Sequence, residues 1–409
     1  MPRFTEYKHR ISALALVTGL TLAAPMVQAG ETAQVPPLFG VELGEPFPEA
    51  EATFGEARKL ILDKYYSPTI TDEALYRGAI DGMLRAVSPP HNKTLSRLFT
   101  PEEYGRFTGA LSGTRSTLGA QLKFNRDDGS LTVTEIEPGS PADGVLEVHD
   151  RIMRVDGKPL RKLSLDALNA LIDGPPGTRL MLTVVRDIVV MQVPLTKSAF
   201  KARNLEVQTL PGGVRYIRIK RFYNGVSGDL KEVLPGVGGE SLSKLVLDLR
   251  GNPGGVFLEG IRVAELFLNA RDVLLLTQQR PTAIKRYVSS NEAPIAADVI
   301  LLVDDQTASA AEILAAALRD HGVARIVGTS TFGKATMEQT FPLGNGHHMK
   351  FIIGAMYGPR GVSWFDKGLK PDFYSETGKA LDDLGRLAPA QRLKQDLALA
   401  TAFKLLQAE

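Results

Sequence analysis

The chain has 409 residues, a formal net charge of +2, 44% hydrophobic residues and 23% charged residues. Its length predicts roughly two to four domains, and its composition supports buried cores rather than a disordered chain. The small net charge argues against a protein that holds nucleic acid through bulk positive charge. The absence of cysteine excludes disulfides, thiolate metal sites and a cysteine nucleophile.

The N-terminus has the pattern of a targeting segment. Basic residues precede an apolar run from Ile11 to Ala24, and the small-residue site Val27-Gln28-Ala29 follows. This order is typical of a secretory signal peptide, which we predict to span residues 1–29 and to be cleaved near Ala29. The mature protein would then be periplasmic or otherwise extracytoplasmic, and an uncleaved anchor is the alternative.

Residues 30–112 predict a helical N-terminal region. Apolar residues recur at helical spacing from Phe54 to Val87. A further helix is predicted to begin after Thr100, because Thr100 and Glu103 have the spacing of a capping box and Pro101 suits the first helical position.

A compact mixed segment is predicted over residues 113–190. Alternating apolar residues predict strands at 121–124 and 131–136, and further strands are predicted at 150–155 and 180–185. Between the last two, a helix is predicted to begin at Ser164 and to carry Leu168 on its apolar face.

The rest of the chain alternates strands and helices, which predicts an α/β core over residues 191–375 and a helical segment over 376–409. Runs of branched residues predict strands at 214–219, 244–249 and 299–303 in a sheet covered on both faces. Helices are predicted at 258–268, 310–320 and 388–407. A hairpin is predicted at 342–355, around the turn Asn345-Gly346.

Ser309 and Lys334 are the candidates for chemistry. Ser309 stands where a buried strand gives way to an alanine-rich helix, whose free N–H groups favour a developing oxyanion. Lys334 follows 25 residues later between two apolar strands, where lost solvation favours the neutral amine that can accept a hydroxyl proton. A Ser–Lys pair needs neither histidine nor cysteine. The simpler alternatives are a helix cap and a surface lysine.

A glycine-rich turn supplies the third candidate segment. The apolar strand Leu247-Asp248-Leu249 runs into Arg250-Gly251-Asn252-Pro253-Gly254-Gly255. Glycines allow close backbone approach and aim N–H groups at a ligand, although the pattern also fits an ordinary strand-to-helix loop.

Taken together and in this order, the three segments resemble the C-terminal processing, or tail-specific, protease family of serine peptidases. The resemblance covers roughly residues 113–372 and includes PDZ-type motifs at Gly139-Ser140-Pro141-Ala142 and Val155-Asp156-Gly157. It implies an α/β multidomain fold, with a protease core, an inserted PDZ-like β-rich module and helical N- and C-terminal segments. It also implies an endopeptidase that needs no cofactor or metal and acts on protein or peptide substrates recognised near their C-termini.

The resemblance assigns roles to individual residues. It places the nucleophile at Ser309, the general base at Lys334, and the oxyanion donors at Gly254 or Gly255 with Ala310. The family usually has a glutamine four residues after the lysine, where this chain has Glu338. A strand bulge would present Gln339 in its place.

The resemblance also predicts a peptide-binding site in the PDZ-like module. Leu118, Gly119 and Ala120 stand where the family's carboxylate-binding loop is expected, and the strand after them can accept a peptide as an added strand. Leu168 would line the opposite wall. A module that serves only as a spacer or gate is the alternative.

Two rival functions remain open at this stage. Gly328 to Lys334 approaches a nucleotide-binding loop, but Ala335 replaces the Ser or Thr that should hold Mg²⁺. A catalytically silent peptide-binding or scaffold protein would keep the fold without the reaction. His347 and His348 are interpreted as exposed polar residues, and no nucleic-acid partner is expected. An activating or adaptor protein and a homo-oligomer formed through the terminal helices are both compatible with the sequence.

Overall fold

The computed structural model describes most of the chain after residue 46. The described residues are 47–89, 95–111, 114–125, 128–137, 139–163, 177–201, 204–234, 242–279, 284–376, 381, 384 and 387–408. The predicted signal peptide, the predicted helix start at Ser164 and Leu168 lie outside these residues. Among the residues that are described, no helix is both long and apolar enough to cross a membrane.

The N-terminal region contains three helices and one short strand in its described part. They are α1 (Ala50–Lys64), α2 (Asp72–Ala86), β1 (Arg97–Phe99) and α3 (Pro101–Leu111). The predicted helical stretch from Phe54 to Val87 thus forms two helices. Pro68 lies in the break, and a residue before proline disfavours the helical conformation. The predicted capping box of α3 is confirmed, since Thr100 N donates to Glu103 Oε2 at 2.8 Å and Glu103 N donates to Thr100 Oγ1 at 3.2 Å.

The β-rich module follows as an antiparallel sheet. Its strands are β2 (Thr114–Thr117), β3 (Ala120–Phe124), β4 (Leu131–Ile136), β5 (Arg151–Val155), β6 (Lys158–Pro159), β7 (Arg179–Arg186), β8 (Val189–Thr196) and β9 (Ser198–Lys201). The sheet order is β3-β4-β5-β7-β8, with β6 beside β5. Strands β2 and β9 pair with each other where the chain enters and leaves the module. A separate apolar core, which includes Val133, Ile152 and Leu182, shows that the module packs around its own interior.

The α/β core is built on a mostly parallel sheet. Its first nine elements are β10 (Leu205–Thr209), β11 (Arg215–Ile219), α4 (Val226–Val233), β12 (Lys244–Asp248), α5 (Phe257–Glu265), β13 (Val273–Gln279), β14 (Lys285–Val288), β15 (Asp298–Val303) and α6 (Ala310–Asp320), the helix that follows Ser309. The remaining elements are β16 (Ala324–Gly328), β17 (Thr336–Pro342), β18 (His348–Tyr357), β19 (Phe373–Tyr374), α7 (Pro389–Gln395) and α8 (Leu397–Gln407). The main sheet has the order β10-β11-β12-β15-β16-β19.

Both faces of this sheet are buried, as the branched runs predict. Leu245 and Leu247 of β12 face the core formed with α4, α5 and α6, whereas Val246 faces α8 on the other side. Successive strand residues point to opposite faces, so a strand covered on both sides must be apolar throughout. The carboxyl ends of β12 and β15 therefore lie side by side and carry the two loops that matter for the candidate site.

A second sheet carries the lysine. Its order is β1-β18-β13-β14, and β17 also pairs with β18. The predicted hairpin is confirmed, because β17 and β18 are joined by a turn in which Gly346 has φ 80°. The segment after Lys334 is a strand rather than the helix that a nucleotide-binding loop must open.

The C-terminal segment differs from the prediction. A single helix is predicted over 388–407, but α7 ends at Gln395 and α8 begins at Leu397. Asp396 stands between them with φ −101° and ψ 94°, and its side chain accepts a hydrogen bond from Leu399 N. The periodic pattern hides this break because both helices present apolar residues to the same sheet, while Asp396 is held by a contact far away in the sequence.

Candidate active site

Ser309 occupies the sharp turn between β15 and α6. Its backbone has φ 57° and ψ −116°, a conformation that residues other than glycine rarely adopt. Neighbouring bonds hold it there, since Ala308 N donates to Asn252 O at 2.9 Å and Ile313 N donates to Ser309 O at 3.0 Å. The half-buried serine thus precedes the first turn of a helix, as predicted, and the N–H of Ala310 opens that turn.

Glu312 links the predicted nucleophile to the predicted base. Its carboxylate is fully buried. Oε2 accepts from Ser309 N at 2.8 Å and from Lys334 N at 2.9 Å. Oε1 accepts from Thr331 Oγ1 at 2.5 Å and from Gly333 N at 2.8 Å. Because one oxygen atom accepts from both residues, the backbone nitrogens of Ser309 and Lys334 are close neighbours.

The environment of Glu312 works in two directions. Burial raises the pKa of this carboxyl group above its usual value, while the hydrogen bonds donated by Thr331, Gly333, Ser309 and Lys334 favour the ionised form. A carboxyl group that accepts from four donors is fixed in place, so Glu312 holds the two segments in one arrangement.

Lys334 stands just before β17 and forms an ion pair. Its Nζ donates to Glu338 Oε2 at 2.6 Å, and the two side chains are 18% and 10% exposed. Glu338 Oε1 also accepts from Thr336 Oγ1 at 2.8 Å. The pairing of β17 with β18 shifts register between Met337 and Glu338. This irregularity leaves Glu338 beside the lysine, while Gln339 is exposed.

Gly254 and Gly255 lie against the nucleophile turn. Their φ values are 89° and 144°. A Cβ atom on Gly254 would come within 2.7 Å of Ser309 Cβ, and one on Gly255 within 1.8 Å of Phe222 O. Only glycine fits these two positions, so the glycine-rich motif has a steric cause.

The backbone N–H of Gly254 is already used within the protein. Gly254 N donates to Asn252 Oδ1 at 2.8 Å. Phe222 N donates to Gly254 O at 2.9 Å, and Phe222 O accepts from Val256 N at 2.8 Å. In this parallel bridge the groups of the middle residue, Gly255, point away from Phe222.

Sequence reasoning assigned no role to Glu312 or Asn252. A signal for Glu312 was present, because Ser309 and Glu312 have the spacing of a capping box. Asn252 gives no such signal. Its side chain bridges Ile219 O, at 2.6 Å from Nδ2, and Gly254 N, and the first of these partners lies in another strand.

A small pocket opens beside Lys334, the predicted general base. It is lined by Pro89, Leu95, Phe332, Gly333, Lys334, Phe365 and Asp366. Two of these residues come from the N-terminal region and the others surround Lys334. The mainly apolar lining suits an uncharged side chain of a bound peptide.

The predicted peptide-binding loop belongs to the β-rich module. Leu118 is fully buried in the core of the module, Gly119 has φ 75°, and Ala120 begins β3. Leu118 O accepts from Ala142 N at 2.9 Å, which ties the loop to the Gly139–Ala142 motif. In the order of the described strands, β3 stands at the edge of its sheet, where a peptide strand can be added.

The histidines are not part of this arrangement. His321 lies at the end of α6 and contacts Val273 O at 2.8 Å. The interpretation of His347 and His348 as exposed residues is wrong. Both are half-buried. The ring of His348 stacks on the ring of Tyr104 in α3, with 3.5 Å between the ring centroids. Over the described residues, no group of three or more His, Cys, Asp or Glu side chains could hold a metal ion.

The fold defines an α/β protein with an inserted β-rich module, and comparisons with known proteins specify both parts. Residues 213–375 match the model of peptidase family S41, and residues 110–185 match the PDZ domain. The chain thus contains a region that matches peptidase family S41 and a region that matches the PDZ domain, in the order expected of the C-terminal processing proteases, which confirms that resemblance.

Individual relatives agree with this assignment. A probable CtpA-like serine protease of Staphylococcus aureus is 31% identical over 326 residues, which are 78% of this chain and 64% of the relative. A protein of the same description from Staphylococcus saprophyticus is 28% identical over 313 residues, 76% of this chain and 62% of that relative. The chain therefore spans less than two thirds of the length of the curated relatives it matches.

Solved structures share the fold. A photosystem II D1 C-terminal processing protease superposes with a TM-score of 0.50 at 21% identity, over 83% of this chain and 97% of that chain. A putative S41 protease from Bacteroides fragilis superposes with a TM-score of 0.55 at 16% identity, over 90% of this chain and 100% of that chain. At these identities the likeness concerns the fold alone.

Proposed function

We propose that the protein is a serine endopeptidase that cleaves peptide bonds through an acyl-enzyme. The observation that carries the proposal is the buried Glu312 carboxylate, which binds the backbone of Ser309 and that of Lys334 through one oxygen atom. A helix cap and a surface lysine would not need this shared, fully buried anchor. The match of residues 213–375 to peptidase family S41 supports the reaction class.

The proposed reaction uses Lys334 as the proton carrier. Its neutral amine takes the hydroxyl proton as Ser309 Oγ bonds to the scissile carbonyl carbon. The C–N bond then breaks, and the leaving amine takes the proton from Lys334. Water attacks the acyl-enzyme next, giving a proton to Lys334 that returns to Ser309 Oγ as the second product leaves.

The oxyanion would be held by two backbone N–H groups. They are those of Ala310, which directly follows Ser309, and of Gly255, because the N–H of Gly254 is already donated to Asn252. These donors are fixed before substrate arrives, because the turn is packed against Phe222 and Ser309. Preorganised donors stabilise developing charge without further rearrangement.

Substrate recognition near a C-terminus is the finer part of the proposal. The PDZ domain supports it, because the loop at Leu118–Ala120 precedes an edge strand and such domains bind peptide C-termini by strand addition. The pocket beside Lys334 would receive an apolar side chain near the cleaved bond. The proposed location is extracytoplasmic, on the strength of the N-terminal signal pattern.

A catalytically silent scaffold is the second candidate. The Lys334–Glu338 ion pair favours it, since Nζ donates to Glu338 Oε2 at 2.6 Å and is already engaged with a carboxylate. The two candidates predict opposite results in a cleavage assay.

The test uses the mature full-length chain and a pair of fluorogenic peptides with an apolar C-terminal residue, one free and one amidated. We expect cleavage by the wild type and none by Ser309→Ala or Lys334→Ala. The double variant should lose no more activity than either single variant, because residues that act as a unit do not lose activity additively. We expect the free acid to bind about tenfold more tightly than the amide, as a charge-assisted hydrogen bond contributes ~1.5–3 kcal/mol. Turnover by Ser309→Ala would overturn the dyad, and equal binding of both peptides would overturn C-terminal recognition.

A further inference from the structure

The break between α7 and α8 contains a buried ion pair that reaches the glycine-rich turn. Asp396 Oδ1 accepts from Arg250 Nη1 at 2.7 Å, and Asp396 Oδ2 accepts from Arg250 Nη2 at 2.7 Å. Both side chains are 0% exposed. This parallel two-bond geometry is the strongest form of the arginine–carboxylate contact. Asp396 also caps α8 through Leu399 N at 3.1 Å, so a single carboxylate serves two purposes.

Arg250 is the first residue of the turn that leads to Gly255. Its guanidinium also binds Asp248 at the end of β12, with Nε–Oδ1 at 2.9 Å and Nη2–Oδ2 at 2.6 Å. Its backbone N donates to Asp248 Oδ1 at 3.0 Å. The side chain and backbone of Arg250 are thus both fixed, two residues before Asn252, whose side chain holds Gly254 N.

The charges in this region are balanced inside the protein. Arg250 and Arg392 face Asp248 and Asp396, and all four side chains are 0% exposed. Arg392 also donates to Tyr216 Oη, and Tyr216 Oη donates to Asp248 Oδ2 at 2.7 Å. Without the Asp396 charge, Arg250 and Arg392 would share Asp248, on which the charge of the buried Arg218 also acts. A buried charge that loses its partner is strongly unfavourable, so Arg250 would move towards water and take the turn with it.

We infer that Asp396 is a positioning residue for the oxyanion-binding turn, and that the C-terminal helix pair completes the active site by holding Arg250. Asp396 does not touch substrate and acts only through Arg250. The inference rests on the proposed function, because it assigns to the 250–255 turn the part that Gly255 has in that reaction. It gives the C-terminal helices a catalytic consequence beyond covering the sheet.

The test compares two variants of α8 in the full chain. Asp396→Asn removes the charge while keeping a good helix cap. Leu399→Ala is the matched control, because Leu399 is fully buried on the same helix and packs its apolar side chain against the sheet, while its backbone N–H to Asp396 is kept. The readouts are thermal unfolding, kcat and KM on fluorescein-labelled casein, and the rate at which a fluorophosphonate labels Ser309, all at a temperature where each variant is folded.

We expect Asp396→Asn to lower kcat and the labelling rate about 10- to 100-fold with little change in KM, because a displaced oxyanion donor weakens only transition-state binding. Leu399→Ala should lower the unfolding temperature and leave kcat near wild type. If Asp396→Asn fails to fold, Asp396→Glu keeps the charge, displaces Arg250 by one methylene, and should show the same loss of kcat. Equal kcat in folded Asp396 variants and wild type would overturn the inference. A wild type that neither cleaves casein nor labels at Ser309 would instead overturn the proposed function.

Discussion

The two members of the proposed dyad lie in contrasting surroundings. On the nucleophile side, Ala310 and Glu312 are fully buried, and Gly254 packs directly on Ser309. On the base side, Lys334 is half-buried, the neighbouring Phe332 is 47% exposed, and an open pocket adjoins both. Ser309 thus has fully buried neighbours, whereas Lys334 adjoins a more accessible part of the molecule.

This difference separates rigid from adjustable components. Ser309, the proposed oxyanion donors and the N-terminus of α6 form one packed unit whose geometry cannot change without disturbing the core. Lys334 is tied to that unit through its backbone, by Glu312, while its Nζ is held by Glu338 on a partly exposed strand. Substitutions on the Ser309 side should therefore act on the geometry of the turn, and those on the Lys334 side should act on the contacts of the lysine amine.

The largest effect is expected for Gly255→Ala. A Cβ atom there would lie 1.8 Å from Phe222 O, so the turn must move and its N–H must leave the oxyanion position. Loss of one oxyanion donor lowers kcat by about 10²–10³-fold, and we expect a loss of that order in casein cleavage with the fold retained by circular dichroism.

Gly322→Ala is the control for that variant. Gly322 has a similarly unfavourable φ of 72°, but no atom lies within 4 Å of the added Cβ. It should cost stability, about 1 kcal/mol, without changing kcat. A comparable loss of kcat in both variants would show that backbone strain, rather than the position of the Gly255 N–H, limits activity.

An intermediate effect is expected for Glu312→Gln. An amide offers one acceptor oxygen, and its NH₂ group would face backbone N–H donors. We expect kcat to fall about 10- to 100-fold, since hydrogen bonds to a charged group contribute ~1.5–3 kcal/mol. Glu259→Gln is the control, because Glu259 is also buried and accepts from a backbone N–H, that of Ser227, outside the site. Equal losses in both variants would contradict a specific role for Glu312.

The pH dependence of the wild type should reflect the same carboxylate. Burial raises the pKa of Glu312, so it takes up a proton at a higher pH than an exposed glutamate. Protonation of Glu312 would place a hydrogen on an oxygen atom that faces hydrogen-bond donors, which cannot accept it. Activity should therefore fall as the pH drops through the raised pKa of Glu312. Because folding raises the pKa of Glu312, the ionised side chain lowers the free energy of unfolding at pH values above that pKa. This destabilisation should be absent below the pKa that Glu312 has in the unfolded chain. An acid limb placed at the usual glutamate value would contradict this assignment.

The nucleophile side was the more predictable of the two from sequence. The predicted helix at 310–320 coincides with α6. The strand predicted at 299–303 is β15, which begins one residue earlier, at Asp298. Elements buried on both faces have continuous apolar runs, so composition marks them directly. Ser309 and the glycine-rich turn follow because their neighbours in the sequence are also their neighbours in space.

Long-range contacts account for what could not be predicted. The break at Asp396 depends on Arg250, which is 146 residues away, and the 388–407 pattern contains nothing that marks it. The choice between Glu338 and Gln339 depends on a register shift in β17, and an alternating strand sequence does not specify such a shift. Both features are set by tertiary pairing rather than by local preference.

The smallest effect, and the one most specific to the base side, is expected for Glu338→Gln. Three cationic groups lie around this carboxylate: Lys334 contacts it, Lys350 is diagonally opposite on β18, and Arg97 of β1 pairs with Lys350. Burial lowers the pKa of Lys350, and the charge of Glu338 opposes that effect. Removing the carboxylate breaks the ion pair that holds Lys334 Nζ against β17, so the amine is no longer engaged away from Ser309.

Glu338→Gln should therefore raise the cleavage rate near neutral pH by about tenfold or less, the equivalent of one charged hydrogen bond. Gln339→Ala is the matched control, since Gln339 is the next residue on β17 and is exposed. It should leave the cleavage rate unchanged. If Gln339→Ala lowers the rate while Glu338→Gln does nothing, the lysine is oriented by Gln339 during turnover. In that case the strand must slip in register when substrate binds, and the Lys334–Glu338 pair would be a resting arrangement only.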